Sequence, residues 1–491
     1  MDKEQKQFKR LFIGGDLSGI QGFLYNISSK RAAVSLKGRS HYLSDYMDRT
    51  CARVIEALRQ AGSSEPDCIY CSGGKFYVIA DNTPAVQQAI GDCASVVKRD
   101  LWQEHYGQLG INISYTPFDE NADGTVNTIE GDNLRPGVLW RIVNTDFAKQ
   151  KIQKFKDIIA TDFDSFFKPI DVGGKPKVCG VTGIESDACV NYSYTPHGEE
   201  APLTMLVLPS VPEQIRHGEE LNHKEGDKSF EDYADESYLG VLRMDVDGLG
   251  KRFIEGFNSI DEYKRFSQRL VDFFENEISQ IRLEEQFREY INLIYAGGDD
   301  LFIVGRWDKA IDIAQRIHQE VENRFGHDGI SISGGVAIVK PKFPIAKAAE
   351  LAGEAEDEAK QFGNGKKNAF HFLGRTVSWE KEFDYVVQKK NDFVNLIQGN
   401  DLSKSILHKL MLYASIAQAN EKRKNEGKPL DFSYLWHASY YLTRYAKRYK
   451  NPVVSDFVKD LRDHEITLNG GRNLQLIALA ARWAELQLRD N

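Results

Sequence analysis

An aspartate pair directly behind a Gly-Gly turn has the most chemistry in this 491-residue chain: Gly297-Gly298-Asp299-Asp300, set between the apolar runs Ile291–Ala296 and Leu301–Val304. The β-branched and aromatic character of those runs reads as two strands joined by a tight hairpin. At its tip, expected to be exposed, Asp299 and Asp300 oppose each other's ionisation unless a cation or proton relieves them. Mg²⁺ or Mn²⁺ is the expected relief, because Mg²⁺ uses only one or two protein carboxylates and completes its shell with water and substrate phosphates. A second acidic strand end lies upstream, where Tyr238–Met244 runs into Asp245-Val246-Asp247 and a glycine-relaxed turn. Period two puts both carboxylates on one face. If this strand pairs beside the hairpin, Asp245, Asp299 and Asp300 converge. Two metals about 3.5–4 Å apart would then clamp the attacking and leaving oxygens of a phosphoryl transfer. Singly, the motifs read as a polar hairpin and a solvated strand end. In this order, separated by the amphipathic stretch from Tyr263 to Ile278, they are far more specific.

The elements that must hold these carboxylates occur twice. Each copy reads strand, helix, hairpin, helix, strand, a ferredoxin-like ordering. In the first copy Gly73-Gly74-Lys75-Phe76 stands against Gly297-Gly298-Asp299-Asp300, so a cation replaces a metal ligand while Asp16 remains at the strand end. Ser18 and Gly19 read equally well as a strand-to-helix turn capped by Ser18 or as a contact to a second nucleotide, with Lys75 as a further candidate. Arg31, Lys37 and Arg39 form a solvated helix face or a patch for RNA or a neighbouring subunit, the patch being preferred. The chain divides into residues 1–167, the first copy; 168–235, a linker module broken by Gly173-Gly174, Pro176, Pro196 and Pro202; 236–376, the second copy; and 377–491, helical in spacing as in Ser405–Ala414 and Leu474–Trp483. The expected class is α+β: two ferredoxin-like domains, a linker module and a C-terminal helical bundle.

The segments Met244-Asp-Val-Asp-Gly-Leu-Gly250, Tyr295-Ala-Gly-Gly-Asp-Asp-Leu-Phe-Ile-Val304, Ser331-Ile-Ser-Gly-Gly-Val336, Pro344-Ile-Ala-Lys-Ala-Ala349, Ala359-Lys360 and Lys367-Asn368 resemble the catalytic palm of the Csm-type Cas10 large subunit of type III-A CRISPR interference complexes. Ile13–Tyr25, Leu36–Leu43 and Ser72–Tyr77 resemble that family's first, degenerate palm. The resemblance implies a synthetase that turns ATP into cyclic oligoadenylate second messengers when its complex, with the other Csm-type subunits and guide RNA, binds target RNA. It implies Asp299 and Asp300 as the Gly-Gly-Asp-Asp metal ligands, Asp245 and Asp247 as strand-end ligands, and Lys360 and Lys367 as phosphate contacts. On the residues alone, Lys360 at the end of a helix striped by Ile345, Ala348, Ala349, Ala352, Ala355 and Ala359 could equally be a solvated lysine favoured by the helix dipole. Many members of the family begin with an HD nuclease domain. Here about ten residues precede Leu11, and the single His-Asp dipeptide, His327-Asp328, reads as a turn, so HD-type DNA cleavage by this chain is not expected. The other readings are a stand-alone cyclase-like signalling enzyme and a catalytically silent scaffold subunit.

Composition is compatible with this. A formal net charge of −9 argues against bulk electrostatic binding of nucleic acid, so RNA contacts should be local or shared with partners. No apolar run reaches membrane-spanning length, and the charged start Met1-Asp-Lys-Glu-Gln-Lys-Gln7 lacks a signal region, so a cytoplasmic location is expected. Six cysteines read as reduced thiols or metal ligands. Cys68 and Cys71, on a strand, should face opposite ways. Cys179 and Cys189 lie in the linker where the resembled family carries a four-cysteine site, but two cysteines cannot close a tetrahedral site and zinc is not expected.

Overall fold

A computed structural model of the chain describes residues 7–25, 32–105, 107–167, 229–234, 237–399, 401–448, 451–466 and 472–490. Arg31, the linker cysteines Cys179 and Cys189, and most of the expected linker module lie outside these residues. The fold is α+β and divides into two compact units, Met1–Ile330 with Val339–Glu350, and Ser331–Ile338 with Leu351–Asn491.

The first unit opens with β1 (Arg10–Ser18), helices Ile20–Tyr25 and Ala32–Gln60, β2 (Asp67–Ser72), β3 (Lys75–Asp81), helix Pro84–His105 and β4 (Gly110–Glu120). Two short strands, β5 (Val126–Thr128) and β6 (Gly131–Leu134), extend the sheet to the order β2-β3-β1-β4-β5-β6. The first four strands have the split β-α-β order, with β1 antiparallel to both β3 and β4. Apolar β1 is central because it is buried along nearly its whole length. Helix Ala32–Gln60 seats Leu43, Met47, Cys51, Val54 and Leu58, all buried and spaced as one helical face.

The same unit then repeats the opening. β7 (Leu239–Asp247) is followed by helices Leu249–Glu255 and Ile260–Asp272, a π turn at Phe273–Glu277, and helix Ile278–Leu283. β8 (Ile291–Gly297) and β9 (Asp300–Arg306) form a hairpin, and helix Trp307–Phe325 follows. The strands order β7-β9-β8, as β1-β3-β2 do. Ser259 caps helix Ile260–Asp272 by accepting the Glu262 amide. The two repeats meet at Trp140, whose ring centroid is 3.5 Å from that of Tyr263, and at Lys264, whose ammonium is 2.6 and 2.8 Å from the Asp67 carboxylate oxygens.

The second unit carries β10 (Ser331–Val339), parallel to β11 (Ala369–Phe372), with β12 (Arg375–Ser378) antiparallel to β11. Gly335 permits close packing: a Cβ there would lie 2.4 Å from the Ala355 carbonyl carbon. The alanine stripe of helix Ile345–Gly365 is buried as its spacing implies. Helices Asp384–Gln398, Ser405–Asn425, Ser433–Arg448, Pro452–Asp460 and Arg472–Asp490 make the C-terminal part. β12 ends at Ser378, two residues past position 376, where the second copy was expected to end.

Two sequence expectations are overturned here. Arg39 is not part of a surface patch: it is 6% exposed, lies over the Phe23 ring and donates to the Phe23 carbonyl, because its helix turns that position inward. Cys68 and Cys71 do not face opposite ways. A bulge between Cys68 and Tyr70 breaks the alternation. Cys68 Sγ therefore lies 3.7 Å from Cys51 Sγ, while Cys71 Sγ is 3.6 Å from Asp48 Oδ1 on the same helix.

Candidate active site at the acidic hairpin

β7 and β9 pair antiparallel, and their register sets Asp245 directly opposite Asp300. Residues facing each other across an antiparallel pair share a face with Cβ atoms about 4.5–5.5 Å apart. Asp299, at the turn, accepts the Val246 amide at its carbonyl (2.9 Å), tying the acid turn to the peptide between Asp245 and Asp247. Burial, then Asp299 and, across the strands, Asp245 push the Asp300 carboxyl up to about 7, against the opposing effect of the neighbouring Tyr295 phenol. The phenols of Tyr70 and Tyr295 stay protonated: burial raises both, and the acids of the hairpin raise them further. Tyr295 donates to the Gly297 carbonyl at 2.9 Å.

The tip itself is not exposed. Gly297 and Gly298 are buried and Asp299 and Asp300 half-buried, because the tip of the β2–β3 hairpin packs on it. A Cβ on Gly73 would stand 2.6 Å from Gly298 Cα, and one on Gly298 2.9 Å from Gly73 Cα. The Ser72 hydroxyl accepts the Gly298 amide (3.0 Å) and donates to Glu275 Oε1 (2.9 Å). Ser72 and Tyr295 open the segments Ser72–Tyr77 and Tyr295–Val304 without a role of their own there, and Tyr70 and Glu275 lie in no motif. Their one sequence signal is position, Ser72 being the residue before the first Gly-Gly.

The two hairpins also match one residue away from the lettered alignment. Ser72 pairs with Lys75 to close the first turn, and Gly297 with Asp300 to close the second. Lys75 thus stands where Asp300 stands, not where Asp299 does, and it faces Asp16 as Asp300 faces Asp245. The first turn places Gly73 (φ 58°) and Gly74 (φ 79°) at its centre; the second uses Gly298 (φ 71°) and Asp299. Letters align the glycines, whereas hydrogen bonds align the turns.

The remaining candidates are placed as follows. Asp16 is 4% exposed, and its carboxylate takes the Lys151 ammonium at 2.8 Å. Ser18 donates to the Gly110 carbonyl at 3.0 Å, and Gly19, at φ 92°, passes close under the Gln108 carbonyl. Lys75 is exposed and Lys37 half-buried. Asp247 is buried at the end of β7, in line with Asp245. In the second unit Lys360 Nζ lies 2.6 Å from Oε1 of buried Glu356, and Lys367 sits beyond the helix end at φ 60°. His327-Asp328 lies in a short 3₁₀ turn, with Arg252 and Arg269 on the Asp328 carboxylate at 3.1 and 3.3 Å.

Among the described residues, no three His, Cys, Asp or Glu side chains gather into a ready-made metal cage. The carboxylates facing across β7 and β9 nonetheless suit a cation of the Mg²⁺ kind, which completes its shell from water and phosphate.

A Cas10-type palm is the class that this hairpin and fold define: residues 238–371 match the family described as Cas10/Cmr2, second palm domain, and residues 9–169 that described as Csm1 subunit domain B. The chain is a homologue of the Cas10/Csm1 large subunit of subtype III-A CRISPR systems. It is 26% identical over 486 residues to the single-strand-specific deoxyribonuclease Cas10/Csm1 of Enterococcus italicus, covering 83% of this chain and 61% of the relative. To that of Mycobacterium tuberculosis it is 23% identical over 469 residues, covering 79% and 57%. The chain thus spans about 60% of the length of these curated relatives. A Csm1–Csm4 cassette crystallised with pppApA shares the fold at a TM-score of 0.70 and 20% identity, over 97% of this chain and 69% of that one. A cassette crystallised with cA3 gives 0.66 and 20%, over 97% and 70%. No helix among the described residues is long and apolar enough to cross a membrane.

Proposed function

We propose that this chain is the nucleotidyltransferase subunit of a type III-A effector complex, converting ATP into cyclic oligoadenylates when the complex engages target RNA. The observation that carries this reading is the register opposing Asp245 and Asp300, with Asp299 beside them, in surroundings that make their joint ionisation costly. Structural relatives crystallised with pppApA, cA3 or AMPPNP support adenine nucleotides as the substrate class, and their Csm4 partner supports a multisubunit setting.

The reaction joins the ribose 3′ oxygen of one nucleotide to the α-phosphorus of the next. The bond from that phosphorus to the bridging oxygen breaks, pyrophosphate leaves, and the hydroxyl proton passes to solvent. Mg²⁺ or Mn²⁺, when bound, supplies charge neutralisation at the phosphates. Asp245, Asp299 and Asp300 would hold it, with Asp247 extending the same strand face. Gly297 and Gly298, read in the sequence as part of the nucleotide site, lie against the first repeat and let the two hairpin tips meet without side chains between them. Lys75, Ser18 and Gly19 of the first repeat are proposed triphosphate contacts; in the second unit Lys360, with Lys367, is proposed as a phosphate-contacting lysine that would exchange Glu356 for a phosphate. Positioning and electrostatics carry most of such a transfer. Guide and target RNA act through the assembled complex in the cytoplasm. HD-type nuclease chemistry finds no support at His327-Asp328, whose carboxylate is engaged by two arginines.

The test is labelled ATP with Mg²⁺ or Mn²⁺, given to the chain alone and to its complex with partner subunits and guide RNA, with and without target RNA. Cyclic oligoadenylates only with target RNA are expected. Equal product from the chain alone would favour a stand-alone cyclase, and no product under any condition a silent scaffold.

A further inference from the structure

We propose that Ser72 is a positioning residue: it clamps the backbone of the acid turn, so the first repeat sets the orientation of the carboxylates carried by the second. This rests on reading Asp245, Asp299 and Asp300 as the catalytic acids. Ser72 ends β2 and is 7% exposed. Its single hydroxyl does two things at once, accepting from Gly298 and donating to Glu275. Glu275 lies in the π turn Phe273–Glu277, a one-residue excess in a helix of the sort that often marks functional sites. The carboxylate is an acceptor, so it fixes the direction of the hydroxyl proton and leaves the Ser72 lone pairs to the Gly298 amide.

Gly298 is buried at the turn, and the ladder bonds of the hairpin are closed by its neighbours Gly297 and Asp300. Its amide therefore takes its partner from the other repeat. One residue on, the Asp299 carbonyl accepts the Val246 amide. The turn peptide is thus held on both sides, by Ser72 at Gly298 and by the strand between Asp245 and Asp247 at Asp299. Backbone contact at Gly73 leaves it no room to shift toward the first repeat. Losing the hydroxyl would free one side of the peptide that aims Asp299 and Asp300 without touching either carboxylate.

Ser72→Ala, Ser72→Thr and Glu275→Gln are compared with wild type as full chains, assembled in the complex for activity. Hydrogen exchange at the Gly298 amide, melting temperature, and initial rates against ATP concentration are read for each. Ser72→Ala should speed Gly298 exchange and lower kcat by roughly tenfold, the effect of leaving one buried amide unpartnered, with KM for ATP little changed. Glu275→Gln should show a smaller loss of the same kind, and Ser72→Thr, which keeps the hydroxyl, should restore both readouts. Unchanged exchange in Ser72→Ala would overturn the clamp. Faster exchange or a lower melting temperature with wild-type kcat would overturn its role in positioning. If wild type itself makes no oligoadenylate, the catalytic reading has failed, and the clamp stands or falls on exchange alone.

Discussion

A carboxyl held toward its protonated form and a histidine kept from charging are two consequences of the same burial penalty on charge. At the hairpin, Asp299 and Asp300 crowd Asp245 in a half-buried setting. Replacing both by alanine should abolish oligoadenylate formation. It should not lower the melting temperature in the absence of divalent cations, because it removes like-charge repulsion and leaves the Ser72–Gly298 bond in place. Product from the double variant, or a clearly lower melting temperature, would count against the assignment. His105 shows the same penalty acting on a base. Its ring is enclosed, edge-on to Phe23 with Tyr42 Oη 2.7 Å from Nε2, and burial, then Arg39, push it from 6.5 down to about 3. The unfolded chain takes up a proton near pH 6.5 that the folded one refuses until about pH 3. Stability from this group is therefore full above pH 6.5 and falls as the pH drops, by about 2 kcal/mol on reaching pH 5. Urea midpoints at pH 7 and 5 should separate more for wild type than for His105→Gln; equal separations would refute it.

At the scale of elements, the strands around Asp245 and the acidic hairpin were legible because apolar runs end abruptly in glycine and aspartate, and the alanine stripe before Lys360 because small residues repeat at helical spacing. The pairing of β7 with β9 was only a condition in the sequence; the register that opposes Asp245 and Asp300 supplies it. What could not be read was any quantity set by hydrogen bonds between distant residues. The bulge that turns Cys68 and Cys71 toward one helix, the inward turn of Arg39, and the one-residue offset between the hairpins each depend on partners the local sequence does not name. The packed tip belongs to the same group, since only the meeting of Gly73 and Gly298 buries it. That meeting is testable against a matched glycine. Gly73 (φ 58°) and Gly329 (φ 71°) both hold left-handed backbone, but a Cβ on Gly329 meets open space and one on Gly73 meets the Gly298 backbone. Alanine at either should cost about 1 kcal/mol for the conformation, and at Gly73 a further 1–3 kcal/mol or so for the overlap. Chemical denaturation of the two variants measures the difference, and equal losses would mean that the hairpins do not meet as described.

At the scale of the whole chain, a molecule with net charge −9 must recruit phosphates through a few placed cations rather than a general field. Within the first unit the repeats are joined by Trp140 on Tyr263, Lys264 on Asp67, and the touching hairpin tips. The cation Lys75 and the acid Asp300 therefore close the two turns that meet there. Asp16, facing Lys75 in the register, already has its carboxylate on Lys151, and the exposed Lys75 ammonium is well placed to serve a substrate phosphate. A charge-assisted phosphate contact of this kind contributes roughly 1.5–3 kcal/mol. Lys75→Ala should accordingly raise KM for ATP or lower the rate by about ten- to a hundredfold, short of the abolition expected at Asp299 and Asp300. Mn²⁺ affinity, measured by titration without nucleotide, should stay near wild type because no proposed carboxylate ligand is touched. Initial rates across ATP concentrations decide the matter: wild-type kinetics in Lys75→Ala would confine the first repeat to supporting the turn, and the two-repeat active site would have to be abandoned.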